Sequence, residues 1–307
     1  MAGPSSPALD SFAAAVAADG LVAVEGGRTH WEIGGLCPAE TRLVRAPAGV
    51  RSFDPAEMTV RVGAGTLVEE LDAALAEAGQ RANLPVAANA TVGGVLAVGR
   101  DGLHALGRGR LRDALLEAVY ASDEGRLVKA GGPTVKNVSG FDLCRLLVGS
   151  LGTLGLVGEV VLRTWPRPAA GIWMAGQCAP RELRRRLYWP SSILWDGRTS
   201  WVHLEGHEPD VEAEASLARS LGCETVDGPP PLPDFRVPAG ALDAQAPDAR
   251  KPRGRFVVQV GTGTAYVSAP GPAPDPDPAV VVLHRRLKAQ FDPRGRLNPG
   301  RDPLAAA

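Results

Sequence analysis

The sequence predicts an α+β protein in two parts, and three observations carry that reading. Short apolar runs open repeatedly into glycine-rich loops, one of these loops leads into a run of helical period, and the texture of the chain changes at Pro166 and Pro168. Beyond those prolines the chain reads as a smaller α/β part interrupted by proline-rich stretches. A length of 307 residues suits about two domains and is ample for a sizeable core.

Each element follows from its local pattern. Residues 11–20 form an alanine-rich helix, and residues 21–24 a short strand that enters Glu25-Gly26-Gly27-Arg28-Thr29-His30. Residues 41–45 and 58–62 are further strands, the second running through Gly63-Ala64-Gly65 into a helix. There Leu67, Leu71, Leu75 and Ala78 share a face that Glu69, Glu70, Asp72 and Glu77 avoid. Thr66 and Glu69 have the spacing of a capping box, and Gly79 stands where a left-handed residue ends the helix. Residues 117–121 and 126–130 make a hairpin through Ser122-Asp123-Glu124-Gly125. Residues 159–164 form a strand that Pro166 ends. A basic helix (181–187), a strand (201–205), a helix (211–221) and a hairpin (256–260 with 266–268) follow, and a last helix covers 281–291. Proline-rich residues 229–233 and 270–278 read as linkers or mobile loops. The expected division is 1–167, 168–280 and 281–307, with no internal repeat.

Composition excludes several classes. Hydrophobic residues at 45% and charged residues at 22% are ordinary globular values, and no apolar window is long enough for a membrane span. Lys and Arg number 33 against 34 Asp and Glu, so the net charge of -1 gives no electrostatic reason to expect nucleic acid or an anionic membrane as partner. Cys37, Cys144, Cys178 and Cys223 form no C-x-x-C pair, which predicts free thiols in a reducing compartment; a cytoplasmic chain is expected, with membrane association through partner subunits as the alternative. The first 20 residues lack a basic region and carry Asp10 and Asp19, so no signal peptide is expected.

The chain holds 37 glycines, and their placement carries the chemistry. Gly63-Ala64-Gly65 between strand and helix suggests a dinucleotide fingerprint, but Val68 stands where the third glycine is required, and a plain strand-turn-helix joint is favoured. In Gly26-Gly27-Arg28-Thr29, consecutive N–H groups free of bulky side chains can form a nest for a diphosphate, or simply a tight turn. Thr91-Val92-Gly93-Gly94, Gly109 with Arg112 and Asp113, and Gly149 to Gly155 are further glycine segments. Several such loops suit one long ligand better than a single phosphate.

These segments, with Pro85, Val135 to Leu143 and the closing Phe291-Asp292-Pro293-Arg294-Gly295-Arg296-Leu297-Asn298-Pro299-Gly300, resemble in order and spacing the FAD-binding oxidoreductases of the vanillyl-alcohol-oxidase and p-cresol-methylhydroxylase type. The run Lys136-Asn137-Val138-Ser139-Gly140-Phe141-Asp142-Leu143, beside Thr91 to Gly94, is most similar to the FAD-binding E subunits of bacterial glycolate oxidases. The resemblance implies a two-part FAD-binding domain with a small, reduced α/β cap. It implies that Glu25, Gly26, Gly27, Arg28, Thr29 and His30 wrap the diphosphate, with Gly34 also among the cofactor-binding residues. Thr91, Val92, Gly93 and Gly94 with Arg112 and Asp113 would line the second face of the groove, Gly152, Gly155 and Val157 would lie near the flavin ring, and Pro85 and Gly109 would also contact the cofactor. It further implies a sister flavoprotein subunit and an iron–sulfur subunit as partners, and a small 2-hydroxy acid as substrate of the complex.

Some relatives attach FAD through a histidine of the first loop; Thr29 occupies that place here and His30 follows it, so non-covalent FAD is expected, with attachment through His30 as the alternative. His203, Glu205 and His207 alternate on a strand, which offers metal-ligand chemistry or an exposed polar face, and the second reading is preferred, with no metal expected. Arg181 and Arg184 to Arg186 suit a carboxylate substrate, an acidic partner or a solvated helix face. Lys136 and Asp142 are polar contacts of the flavin or fixers of a loop, and Cys144 packs as a small apolar residue. Trp189, Trp195 and Trp201 are interface or core residues. No base or carboxylate-holding group is assignable, so catalytic residues stay unassigned. The expected role is an FAD-binding complex subunit, against a stand-alone FAD oxidoreductase or a scaffold that has lost flavin.

Overall fold

The computed structural model describes residues 6–85, 87–132, 142–239, 254–271 and 275–305. The chain divides into two units: Met1–Gly102 with Leu111–Pro166 and Pro276–Ala307, and Leu103–Arg110 with Arg167–Asp275.

The first unit is built on a mixed set of strands and helices. The strand Leu156–Pro166 is its spine, pairing antiparallel with Thr59–Gly63, Leu115–Ala121 and Gln80–Ala82. The predicted hairpin appears as Leu115–Ala121 with Leu127–Gly131. Alternate residues of the spine, Val160 and Leu162, are nearly inaccessible and meet Leu71 and Leu75 of the helix Val68–Ala76 in one core. That helix does not use the expected capping box. Leu67 is its N-cap without a side-chain bond, because Thr66 is buried and its hydroxyl is engaged in the preceding turn, donating to Gly63 O at 2.7 Å and accepting from Gly49 N at 2.8 Å. Gly79 takes φ +66 at the far end, as its position predicts. A parallel pair, Val22–Val24 with Arg42–Val44, forms a separate two-stranded sheet.

The closing segment stitches the two ends of the chain together. After the helix Pro278–Phe291, Leu297 bridges Val22 in parallel, with Val22 N donating to Arg296 O and Asn298 N to Val22 O at 2.9 and 2.8 Å. The Arg296 guanidinium is buried against the C-terminal end of the helix Pro7–Ala17, donating to the carbonyls of Val16, Ala18 and Gly20. A cation there satisfies carbonyls that have no partner within the helix and matches the negative end of its dipole.

The second unit is a seven-stranded antiparallel sheet whose buried face packs Met174, Ile193, Val202 and Leu204 beneath the helices Pro180–Arg186 and Glu208–Ser220. Residues 103–110, which the sequence reading places in the first part, group with this unit. Their short helix, Ala105–Arg108, is tied to it by Gly107 N donating to Ser191 O at 3.2 Å and Gln259 Nε2 donating to Leu103 O at 3.1 Å.

Candidate functional site

In the first unit the strand end Val24, the loop Gly26 to Trp31, the start of the helix Val92–Val98 and Asn298 surround two adjoining hollows of about 440 and 620 Å³. Gly26, Thr91, Gly93, Gly94 and Asn298 border both, so the hollows form one continuous groove.

Glycine is required where its walls approach each other. A Cβ on Gly26 would overlap the Thr91 hydroxyl, one on Gly27 the Asn89 carbonyl, and one on Gly155 the Tyr120 ring. The helix Val92–Val98 points its N-terminus into the groove, with Thr91 as N-cap accepting from Gly94 N at 3.2 Å. Asn298 holds both sides: its Oδ1 accepts from Val24 N at 3.0 Å, and its Nδ2 donates to Leu151 O at 2.6 Å.

The two hollows differ in chemistry. The smaller is walled by Ala46, Ala64, Leu147, Leu156 and Val157 and suits a flat apolar ring. The larger carries Arg28, Thr29, His30 and Arg301. Along the first loop, among the described residues, the N–H groups of Gly26, Gly27, Arg28 and Thr29 donate to no protein acceptor, and Arg28 sits at φ +56. A short run of undonated N–H groups beside cationic side chains is the donor set a diphosphate takes. Glu25 does not oppose this: Arg28 at 2.5 Å and Arg45 at 3.2 Å hold its carboxyl below the usual carboxylate range.

Twelve of the expected residues thus come together. Glu25, Gly152, Gly155 and Val157 line the apolar hollow, Gly27, Arg28, Thr29 and His30 the cationic one, and Gly26, Thr91, Gly93 and Gly94 both. Six do not line either hollow. Val92 is the first residue of its helix and turns into the core with no exposure. Gly34, at φ +75, is a joint whose carbonyl accepts from Asp302 N at 2.7 Å. Asp113 is exposed and paired with Arg145 at 2.9 Å, beside an exposed Arg112. Gly109 ends the helix Ala105–Arg108 at φ +84 in the second unit, and Pro85 lines neither hollow. Lys136 to Phe141 lie outside the described residues. Asp142 fixes a loop: it caps the helix Leu143–Leu147 through Arg145 N at 3.2 Å. Cys144 is buried, and burial raises its thiol to about 11.

Sequence reasoning gives no role to Trp31, Ala97 and Arg301, covers Ser150 and Leu151 only as part of the segment Gly149 to Gly155, and reads Ala64 and Gly65 as a plain joint although they form part of the wall. Asn298 was legible only as a member of the closing motif.

In the second unit His203 and Glu205 do share a face, but His207 is exposed at the start of the helix Glu208–Ser220, and His104 joins the pair instead. Donor atoms of His104, His203 and Glu205 lie within 4.8 Å of one another. They are knitted by neighbours: Ser191 Oγ is 2.6 Å from His203 Nδ1 and 3.2 Å from His104 Nδ1, and Arg108 forks the Glu205 carboxylate at 2.7 and 2.6 Å. Arg181 and Arg184 to Arg186 are exposed on their helix. Trp189 is 63% exposed, whereas Trp195 packs edge-on against Phe256 at 5.9 Å.

Residues 9–131 match the family model described as FAD binding domain. The chain is 28% identical to glycolate oxidase subunit GlcE of Escherichia coli over 91% of each chain. It is 35% identical to D-lactate dehydrogenase of Archaeoglobus fulgidus over 66% of this chain, spanning 52% of that protein. Among solved structures it shares its fold with alkyldihydroxyacetonephosphate synthase, with a TM-score of 0.68 at 14% identity, covering 95% of this chain and 74% of that one. The chain therefore carries an FAD binding domain, which begins in the helix that precedes the glycine groove, and along most of its length it is similar to a glycolate oxidase subunit.

Proposed function

We propose that the chain is the FAD-binding subunit of a 2-hydroxy acid dehydrogenase complex of the glycolate oxidase kind, working in the cytoplasm with a sister flavoprotein and an iron–sulfur subunit. The observation that carries this reading is its even similarity to GlcE, a subunit by its name, along nearly the whole of both chains. Among the described residues no helix is long and apolar enough to cross a membrane.

The groove supports the cofactor part of the reading. The undonated N–H groups of Gly26 to Thr29, beside the Arg28 guanidinium, would hold the diphosphate, and the Ala46, Ala64 and Val157 wall would take a flat ring. Bound FAD supplies the acceptor for a hydride and its onward passage as electrons. The chain's own residues position that cofactor, exclude water from the apolar hollow and leave it held without a covalent link, Thr29 standing in the place of an attaching histidine.

The test is the visible spectrum of the purified chain before and after anaerobic glycolate, with acid precipitation to release flavin. Released flavin that glycolate does not bleach supports a subunit that needs partners. Bleaching by the chain alone makes it a stand-alone dehydrogenase, and a colourless chain that refuses added FAD makes it a scaffold.

A further inference from the structure

The cationic hollow contains an arrangement that the glycine motifs do not account for. Trp31 carries two guanidiniums against its ring, with Cζ of Arg28 4.8 Å and Cζ of Arg301 4.7 Å from the ring centre. Both arginines line the same hollow as Gly26, Gly27 and Thr91. Arg28 belongs to the first loop, while Arg301 arrives from the opposite end of the chain, beyond the residues that match the FAD binding domain model.

Arg301 is held in place by a series of bonds. Asn298 is fastened to Val24 and Leu151, Arg301 Nη1 donates to Ile33 O at 2.9 Å, and Asp302 N donates to Gly34 O. Their charges are not equally matched. Arg28 is paired with Glu25, whereas among the described residues no carboxylate is paired with Arg301. Two guanidiniums held at one indole are each attracted by the ring, and together they raise the positive potential of the hollow they both line, which a dianion bound there would neutralise. A diphosphate is such a dianion and matches the planar fork of arginine.

We propose that Arg28 and Arg301 form a cationic clamp on the FAD diphosphate, with Trp31 as the platform that aims both, so that the C-terminal segment is the closing half of the cofactor site. This rests on the reading that the groove holds FAD. It gives the C-terminal residues a direct role in cofactor affinity that the first loop alone does not supply.

The experiment is a titration of the flavin-free full chain with FAD, ADP and riboflavin, followed by fluorescence or calorimetry, for the wild type, Arg28→Ala, Arg301→Ala and Arg301→Lys. Circular dichroism melts establish that each variant is folded. Each alanine variant is expected to weaken FAD and ADP at least tenfold, with a flatter dependence on salt, and to leave riboflavin, which has no phosphate, within twofold. Arg301→Lys is expected to recover part of the loss. Because Arg301 also bonds Ile33 O, Arg28→Ala keeps the test independent of that contact. FAD binding by both alanine variants within twofold of wild type overturns the clamp, as does an equal loss for riboflavin. A wild-type chain that takes up no FAD overturns the FAD reading itself and the clamp with it.

Discussion

The glycine groove of the first unit and the polar face of the second unit's sheet are both built where the chain departs from a simple apolar pattern, yet they spend their polar groups differently. In the groove, backbone donors from Gly26 to Thr29 face space without a protein acceptor. On the sheet face, Ser191 meets His203 at 2.6 Å and His104 at 3.2 Å, and Arg108 forks the Glu205 carboxylate at 2.7 and 2.6 Å. Unsatisfied donors are a capacity to bind, whereas a connected network stiffens a fold. The same contrast separates a residue that is glycine because a ligand or a second loop must approach from one that is polar because its neighbour is.

Four substitutions test that contrast. The largest effect is expected from Glu117→Ala in the first unit, where a fully buried carboxylate meets Arg61 at 2.9 Å and Lys129 at 2.8 Å, and Arg61 also pairs with Glu159. Removing it leaves cations without their buried partner and should lower stability by about 3 kcal/mol, read from urea denaturation. Since both cations keep some exposure, a loss near zero would show that solvent replaces Glu117 fully.

Next is Gly27→Val, whose side chain would overlap the Asn89 carbonyl. Its expected signature is a hundredfold rise in the FAD dissociation constant, about 3 kcal/mol, together with a lowered melting temperature, because the first loop and the backbone at Asn89 must move apart. Ser191→Ala, by contrast, should destabilise the second unit by about 1–3 kcal/mol, because the bond to His203 Nδ1 is lost, while flavin content stays within twofold. A flavin loss as large as that of Gly27→Val would erase the distinction between the two regions.

The smallest effect is chemical and leaves the fold alone. The Cys178 and Cys223 sulfurs lie 3.4 Å apart, and the Cys223 thiol donating to Cys178 lowers the latter to about 7, against the opposing effect of burial. The same contact and burial push Cys223 up. Alkylation of Cys178 by iodoacetamide should therefore rise through pH 7, as the thiolate forms, and level off above pH 8. Cys223→Ala removes the donor, so the rise should move to higher pH; an unmoved profile would mean that the pair does not set the reactivity.

The sequence carried much of the groove and less of the sheet face, for physical reasons. Gly26, Gly27 and Gly155 were legible because a side chain there would collide with a neighbouring wall, a constraint written in residue type. The hairpin Leu115–Ala121 with Leu127–Gly131 was legible because its turn residues are local. The helix Val92–Val98 was not, since two glycines and three valines make a poor helix and only its packing selects that state. Val92 was misplaced because its motif neighbours face the groove while its own side chain turns into the core. Arg112 and Asp113 were read from a motif whose polar residues are exposed, Asp113 being spent on Arg145. The meeting of His104 with His203, and of Arg301 with Trp31, depends on distant chain segments and leaves no local signal.

The flavin content of the purified chain, set beside that of Gly27→Val after both are incubated with excess FAD and desalted, decides whether the groove is a cofactor site. One flavin per wild-type chain, released by acid, and less than a tenth as much in a folded Gly27→Val chain is the expected result. A wild-type chain that retains no flavin, or a variant that retains as much as wild type, would contradict it.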